Sequence, residues 1–244
     1  MSERHLFVAD VHLRREEAGK RRAFIRLLDD HARPDVHLWV LGDLFDLWIG
    51  SVQIALEPEW RELFDAFARF VDAGAKLTFF HGNRDYCMGR YLTRTLGAET
   101  VAVGKTLELD GRRVHLTHGD MLCTGDQAYT LLRALVRGPL FDLFWSCVPA
   151  RWKVGLSGIY RSASLRHVPD REEARHGLSR TALRRLVRRD VELLICGHIH
   201  RPIEGRFRRG DRELEVRTLP AWEDRGAVLE YADGRFALLS VDFA

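Results

Sequence analysis

Residues 5–12 of the chain, His-Leu-Phe-Val-Ala-Asp-Val-His, join a short apolar run to a polar end. Four further apolar runs also end in polar clusters, and each of these clusters contains a glycine. The five ends are Asp10-Val11-His12, Gly42-Asp43, Gly82-Asn83-Arg84-Asp85, His118-Gly119-Asp120 and Gly197-His198-Ile199-His200. In open α/β sheets, ligand and catalytic groups gather beyond the carboxyl ends of the strands. The pattern therefore predicts an α/β fold in which these clusters converge on one site.

Apolar runs and helical patterns alternate along the chain, as expected of βαβ units. We predict strands over 5–9, 36–41, 76–80, 113–117 and 192–196, and helices over 16–31, 57–73 and 171–189. After residue 200 the pattern changes to strands, with a hairpin turn at Arg209-Gly210-Asp211 and further strands over 226–231 and 235–241. This change predicts a second, largely antiparallel sheet. No linker separates the parts, so we expect residues 1–244 to form a single domain.

Composition excludes several classes of protein. The chain has 244 residues, of which 46% are hydrophobic and 30% charged, unlike a disordered protein. The 38 Lys and Arg residues nearly balance 35 Asp and Glu residues, so no nucleic-acid partner is expected. Neither a signal peptide nor an apolar run of roughly 20 residues is present, which predicts a cytoplasmic protein. The four cysteines have no paired spacing, and nothing indicates the oligomeric state.

A segment over residues 126–165 is rich in Leu, Phe and Trp, with Arg and Lys interspersed. It predicts short helices inserted between strands, because Gly138-Pro139 and Val148-Pro149 interrupt the helical pattern. The apolar side chains either line a ligand-holding lid or pack the insertion onto the body.

The predicted convergence brings together two carboxylates, four imidazoles and one amide. They belong to Asp10, His12, Asp43, Asn83, His118, His198 and His200. Oxygen and nitrogen donors without thiolates suit Mn, Fe, Mg or Zn. Seven donors are too many for one ion, so we predict two divalent ions that share a bridging carboxylate. Taken singly, each motif is also compatible with an ordinary turn or cap.

The other histidines lack this setting at strand ends. We predict surface or packing roles for His5, His31, His37, His115, His167 and His176, while His81 adjoins a predicted ligand and is left open.

The ordered motifs Asp-x-His, Gly-Asp, Gly-Asn, His-Gly-Asp and Gly-His-x-His resemble those of the calcineurin-like metallophosphoesterases. The resemblance implies an α/β/β/α sandwich and two metal ions, with manganese as the common activating ion. Carried over by residue, it implies that Asp43 bridges the ions and completes two ligand sets. One set is Asp10, His12, Asp43 and His200, and the other is Asp43, Asn83, His118 and His198.

Two motifs and the insertion resemble more narrowly the UDP-2,3-diacylglucosamine hydrolases of lipid A synthesis. The motifs are Gly-Asp-Leu-Phe-Asp-Leu-Trp-Ile-Gly over 42–50 and Gly-Asn-Arg-Asp over 82–85. The resemblance implies that a dimetal-activated hydroxide cleaves the acylated UDP-sugar to UMP and 2,3-diacylglucosamine 1-phosphate. Arg84 would neutralise charge on the phosphate, beside the catalytic residues Asp43, Asn83 and His118. The helical lid would hold acyl chains and lie peripherally against the anionic cytoplasmic face of the inner membrane.

The chain also departs from these enzymes. They carry Ser, Asn and Lys on a helix after the lid, whereas residues 161–175 contain neither Asn nor Lys, and Ile199 stands where Thr is common. A phosphoesterase for another nucleotide, phosphoprotein or phospholipid is therefore an alternative. A second alternative is a non-catalytic scaffold that binds a partner or nucleic acid through the Arg-rich hairpin over 205–217.

Overall fold

The computed structural model describes residues 3–48, 50–123, 143–145, 147–149, 152 and 177–243. Most of the predicted helical insertion over 126–165, and its assignment as a lid, lies outside the described residues. The segment over 161–175, where the head-group residues of similar enzymes are missing, also lies outside them.

Eleven strands make up the described part of the two sheets. They are β1 (Arg4–Val8), β2 (Val36–Val40), β3 (Lys76–Phe80), β4 (Glu99–Val101), β5 (Gly104–Leu109), β6 (Arg112–Thr117), β7 (Leu193–Cys196), β8 (Ile203–Arg209), β9 (Arg212–Thr218), β10 (Gly226–Ala232) and β11 (Arg235–Val241). The described helices are α1 (Ala18–Asp30), α2 (Val52–Leu56), α3 (Trp60–Asp72), α4 (Gly89–Leu96), α5 (Asp120–Cys123) and α6 (Arg180–Arg188), with a 3₁₀ turn at Tyr86–Met88.

The strands form one six-stranded and one five-stranded sheet. The first has the order β11-β10-β1-β2-β3-β4, with β1 to β4 parallel and β10 antiparallel to β1. The second has the order β5-β6-β7-β9-β8, in which β6, β7 and β9 are parallel. The carboxyl ends of β1, β2 and β3 therefore lie along one edge of the first sheet, and those of β6 and β7 along one edge of the second.

Three clusters of buried apolar side chains pack the two sheets and the two outer layers of helices against one another. Alternate residues of β1 face opposite ways: Leu6 and Val8 pack with the cluster that contains α1 and α3, and Phe7 packs with the second sheet. The inter-sheet cluster includes Trp39, Phe80, Val114, Leu116 and Ile195. On the far side, Leu183, Leu186 and Val187 of α6 cover the second sheet. These layers confirm the predicted α/β/β/α architecture.

The second sheet does not contain all of the strands after residue 200, contrary to the prediction. The hairpin of β8 and β9 extends the second sheet at β7, whereas the hairpin of β10 and β11 extends the first sheet at β1. Strands β1 and β7 each have an unpaired side in the absence of these hairpins, and such edges take up another strand. The last two hairpins therefore complete different sheets.

Some predicted boundaries were also wrong. The helix predicted over 57–73 corresponds to α3 but begins only at Trp60, after Pro58, because proline disfavours helical backbone at the residue before it. The short helix α2, which ends at Leu56, was not predicted. The described part of the helix predicted over 171–189 begins only at Arg180, since Ser179 has extended backbone (φ −60°, ψ 124°). Strands β4 and β5 were not predicted; both contain exposed positions that weaken the apolar signal.

Candidate metal centre

The loops that follow β1 and β2 run side by side and place three of the predicted ligands. Backbone hydrogen bonds join Asp10 N to Gly42 O at 3.1 Å and His12 N to Asp43 O at 3.0 Å. Asp10, His12 and Asp43 have φ values of 52°, 50° and 54°, in the left-handed region that side-chain-bearing residues seldom adopt. Such backbone strain is concentrated at functional sites. The tertiary contacts between the two loops hold these residues in place.

The segment after β7 is also left-handed, with φ values of 68° at His198 and 63° at His200. Its backbone is therefore not extended, so the alternation of a strand does not place both imidazoles on one side. Backbone contacts fix it instead: His198 N donates to Asp10 Oδ2 at 2.7 Å, and Ala221 N donates to His200 O at 3.3 Å.

Two glycines let these loops come close together. A Cβ added to Gly82 would lie 2.1 Å from Asp43 Oδ1, and one added to Gly197 would lie 2.5 Å from Asp10 Oδ2. No side chain fits at such distances, so both positions require glycine for the carboxylates to stand where they do.

Asp10, His12 and His200 form the first group of converging ligand atoms. Asp10 Oδ1 lies 3.3 Å from His200 Nε2 and 3.9 Å from His12 Nε2, and the two Nε2 atoms are 3.3 Å apart. Asp10 and His12 follow β1 of the first sheet, and His200 follows β7 of the second sheet. The three ligand atoms meet because the two sheets pack against each other with these strand ends close together.

The second group centres on Asp43 and His118, which lies beyond β6. Asp43 Oδ2 lies 3.7 Å from His118 Nε2, and Asn83 Oδ1 lies 2.8 Å from the same nitrogen. The His198 ring is adjacent, with its centroid 5.2 Å from that of His118. Ligand atoms of Asp10 also lie within 4.8 Å of those of Asp43 and His118, so Asp10 contacts both groups.

The chemistry of this donor set fits divalent cations. Ligands about 2.1 Å from one ion and at right angles lie about 3 Å apart, close to the separations within each group. His118 Nδ1 lies 2.9 Å from Leu41 O. If Nδ1 donates to this carbonyl, Nε2 carries a lone pair that faces Asn83 Oδ1. Two hydrogen-bond acceptors then face each other, an arrangement that a bound cation would stabilise. Asp10 Oδ1 is buried and receives no well-oriented hydrogen bond from the described residues.

The electrostatics keep Asp10, His12 and His198 in their metal-binding forms and shift His200 toward its protonated form. Burial lowers the pKa values of His12 and His198 to about 4, so both rings are neutral near pH 7. Burial alone would raise the pKa of Asp10, but contacts with His200 and His118 outweigh it and lower that pKa to about 2. Burial opposes protonation of His200, yet its contact with Asp10 raises its pKa.

Asp85 ties the loop after β3 to the loop after β2, a role that its place in the 82–85 motif did not reveal. Its carboxylate is fully buried and accepts hydrogen bonds from Gly82 N at 3.0 Å and Asp43 N at 3.1 Å through Oδ1. Oδ2 accepts from Leu44 N at 2.7 Å and more weakly from Phe45 N at 3.4 Å. Burial and the nearby Asp43 carboxylate raise the pKa of Asp85 to about 7.

Arg84 lies at the open side of the second group. Its backbone N donates to Asp43 Oδ1 at 2.9 Å, its Nε lies 3.9 Å from Asp43 Oδ2, and its Nη1 donates to Asp46 Oδ1 at 2.6 Å. The guanidinium is about one-third exposed, so it remains open to a ligand. The sequence analysis singled out Arg84 but gave no role to its partner Asp46. His81, which it left open, contacts the start of α4 near Gly89.

The family model for calcineurin-like phosphoesterases matches residues 4–202. The chain therefore belongs to this family of metallophosphoesterases and is a hydrolase. The family implies a dimetal site, for which the residues described above are candidate ligands.

The chain is also similar to individual relatives and to a solved structure. A UDP-2,3-diacylglucosamine hydrolase from Serratia proteamaculans (strain 568) is 31% identical over 239 residues, spanning 98% of this chain and 99% of the relative. One from Salmonella paratyphi B is 32% identical over 243 residues, spanning 96% and 98%. A solved archaeal phosphodiesterase is 13% identical with a TM-score of 0.45, covering 98% of this chain and 99% of its own.

Proposed function

We propose that the protein hydrolyses the pyrophosphate bond of UDP-2,3-diacylglucosamine, giving UMP and 2,3-diacylglucosamine 1-phosphate in lipid A biosynthesis. The observation that carries this proposal is the similarity, over 98% of the chain, to a hydrolase named for this substrate. The location of Arg84 beside Asp43 supports it, because the reaction develops negative charge on phosphate oxygens.

The predicted ligand sets would hold two divalent cations. Asp10, His12, Asp43 and His200 would bind one ion, and Asp43, Asn83, His118 and His198 would bind the other. The donor set accepts Mn²⁺, our first choice, as well as Fe, Mg or Zn. Bound ions supply Lewis acidity at the phosphate and make water nucleophilic near neutral pH.

The chain's own residues position and stabilise the reacting group. Arg84 donates hydrogen bonds to the phosphate oxygens, and its contact with Asp46 limits the directions in which the guanidinium points. It does not act as a general acid, because a guanidinium stays protonated. Asn83 and His118 would help to hold the second ion, and Asn83 lies on the same loop after β3 as Arg84.

The substrate's acyl chains place the reaction at the cytoplasmic face of the inner membrane, and we propose peripheral contact there. The lid over 126–165 of the single domain would hold the chains. Helix α6 supports the proposal because it exposes arginines that have no acidic partner within the described parts of the chain. They are Arg180, Arg184, Arg185 and Arg188, and Arg189 follows directly after the helix. No helix among the described residues is long and apolar enough to span a bilayer.

The alternative of a nucleic-acid-binding scaffold receives no support from the β8–β9 hairpin. Four of its five arginines contact acidic partners: Arg206 and Arg208 contact Glu213, Arg212 contacts Asp190, and Arg217 contacts Glu204 and Glu215. A hairpin neutralised in this way is a solvated face.

The decisive experiment measures UMP release by metal-reconstituted protein from UDP-2,3-diacylglucosamine and from a plain UDP-sugar, with Mn²⁺ present or chelated. We expect Mn²⁺-dependent release from the acylated compound alone and its loss in Asn83→Ala. Turnover of a generic phosphodiester with neither UDP compound hydrolysed would leave the family activity in place and remove this substrate.

A further inference from the structure

Asp46 lies between two arginines at the rim of the metal centre. Arg14 contacts it through Nε at 3.4 Å and Nη2 at 3.5 Å, and Arg84 contacts it through Nη1 at 2.6 Å. The Asp46 side chain is only 8% exposed, whereas those of Arg14 and Arg84 are 49% and 36% exposed. One buried carboxylate thus holds two guanidiniums that are both partly exposed to solvent.

Backbone contacts place Arg14 beside the centre. Leu13 N donates to Leu44 O at 2.8 Å, and Asp46 N donates to Leu13 O at 3.1 Å. Arg14 is therefore attached to the same pair of loops that carries His12 and Asp43. Arg84 contacts Asp46 and lies next to Asp43, whereas Arg14 contacts Asp46 from its other neighbouring loop.

The charge balance of this trio favours an anion. Two guanidiniums carry one more positive charge than Asp46 neutralises, and each has five N–H donors, of which the contacts with Asp46 use a minority. Guanidinium forks match phosphate oxygens in geometry as well as in charge. Two guanidiniums held through one carboxylate suit a ligand with two adjacent phosphoryl groups.

We propose that Arg14 and Arg84, linked by Asp46, form a diphosphate-binding subsite. Arg84 contacts the phosphoryl group at the metal centre, and Arg14 contacts the neighbouring one. The inference rests on the proposed function, because that function supplies a diphosphate substrate. It adds a specificity-determining residue, Arg14, that distinguishes diphosphates from single phosphate groups.

The test compares Arg14→Gln with Arg15→Gln in the full-length, Mn²⁺-loaded protein. Arg15 is a matched control because it is the adjacent arginine, is 52% exposed and contacts Glu16 instead of Asp46. Calorimetry would measure the binding of inorganic pyrophosphate and of inorganic phosphate. We expect Arg14→Gln to weaken pyrophosphate binding about tenfold and phosphate binding less than twofold. The tenfold loss is the cost of removing one charge-assisted hydrogen bond. Arg15→Gln should change neither, and Arg14→Lys should fall between wild type and Arg14→Gln.

Kinetics provide a second readout, in which Arg14→Gln raises the KM for UDP-2,3-diacylglucosamine about tenfold and changes kcat less than threefold. Equal weakening of phosphate and pyrophosphate binding, or equal behaviour of the Arg14 and Arg15 variants, would overturn the subsite. If wild-type protein does not hydrolyse the acylated UDP-sugar, the proposed function fails, while pyrophosphate binding still decides the role of Arg14. Arg14→Lys keeps the test decisive if Arg14→Gln does not fold.

Discussion

Histidines cluster in two regions of the molecule, one within the first sheet and one beyond the strand ends of both sheets, and their surroundings differ. Within the sheet, His37 stacks on Trp39 with ring centroids 3.7 Å apart and pairs with Thr78 Oγ1 through Nε2 at 2.8 Å. His5 accepts a hydrogen bond from Trp39 Nε1 at 3.1 Å. Beyond the strand ends, the Nε2 atoms of His12 and His200 face each other and the Asp10 carboxylate.

The difference shows what separates a packing histidine from a ligand. Around Trp39, each histidine ring nitrogen that forms a hydrogen bond has one neutral partner. The rings of His37 and Trp39 also stabilise the sheet by stacking. At the metal centre, several acceptors point at one another, an arrangement that is unfavourable until a cation neutralises it. The sequence analysis gave His5 and His37 packing roles, and the structure places both in such contacts.

Removing the charge of Asp43 should have the largest effect. Asparagine tolerates the left-handed φ of 54° at this position and keeps an acceptor for the backbone N of Arg84, so Asp43→Asn should fold normally. Because the bridging carboxylate is lost, we expect turnover to fall by about 10³-fold or more. Steady-state kinetics with circular dichroism as the folding control would measure this. Activity within tenfold of wild type would contradict the bridging role.

Changing Asp85 should weaken metal binding without removing any ligand. In Asp85→Asn, the amide places a donor against at least one of the backbone N–H groups of Gly82, Asp43 and Leu44, which loosens the two loops. We expect Mn²⁺ affinity to fall about 10- to 100-fold, as for other residues that orient metal ligands. Metal titration and the melting temperature of the metal-free protein separate this effect from unfolding. Unchanged affinity in a folded variant would mean that Asp85 does not position Asp43.

The His37 region should respond to pH and not to metal. Burial lowers the pKa of His37 to about 3 from an unfolded value near 6.5, so the unfolded state binds more protons between these limits. Stability from this group is fully present above about pH 6.5 and is lost as pH falls toward 3. His37→Gln should cost about 1 kcal/mol at pH 7.5 and flatten this dependence. Urea unfolding at pH 7.5, 6 and 5 tests it. If the free energy of unfolding of the variant depended more steeply on pH than that of wild type, or if the variant no longer bound Mn²⁺, the distinction between the two regions would be wrong.

Local patterns were enough to predict which loops carry the candidate ligands. Asp10, Asp43, Asn83, His118 and the pair His198 and His200 each follow a buried apolar strand, and the parallel topology brings those strand ends together. The predictions were wrong where the signal was weak or non-local. Strands β4 and β5 alternate exposed and partly buried residues, and no local pattern specifies which sheet receives each terminal hairpin.

The sequence by itself determined the α/β class, the family and the chemical nature of the candidate metal centre, because these depend on apolar periodicity and on motifs a few residues long. Only the tertiary structure decided the partition of the hairpins, the left-handed backbone of five of the candidate ligands, and the linking of loops by Asp85 and Asp46. These features arise from contacts between residues about 20 to 230 positions apart. Their energies depend on burial and on the geometry of neighbouring loops, neither of which a local pattern records.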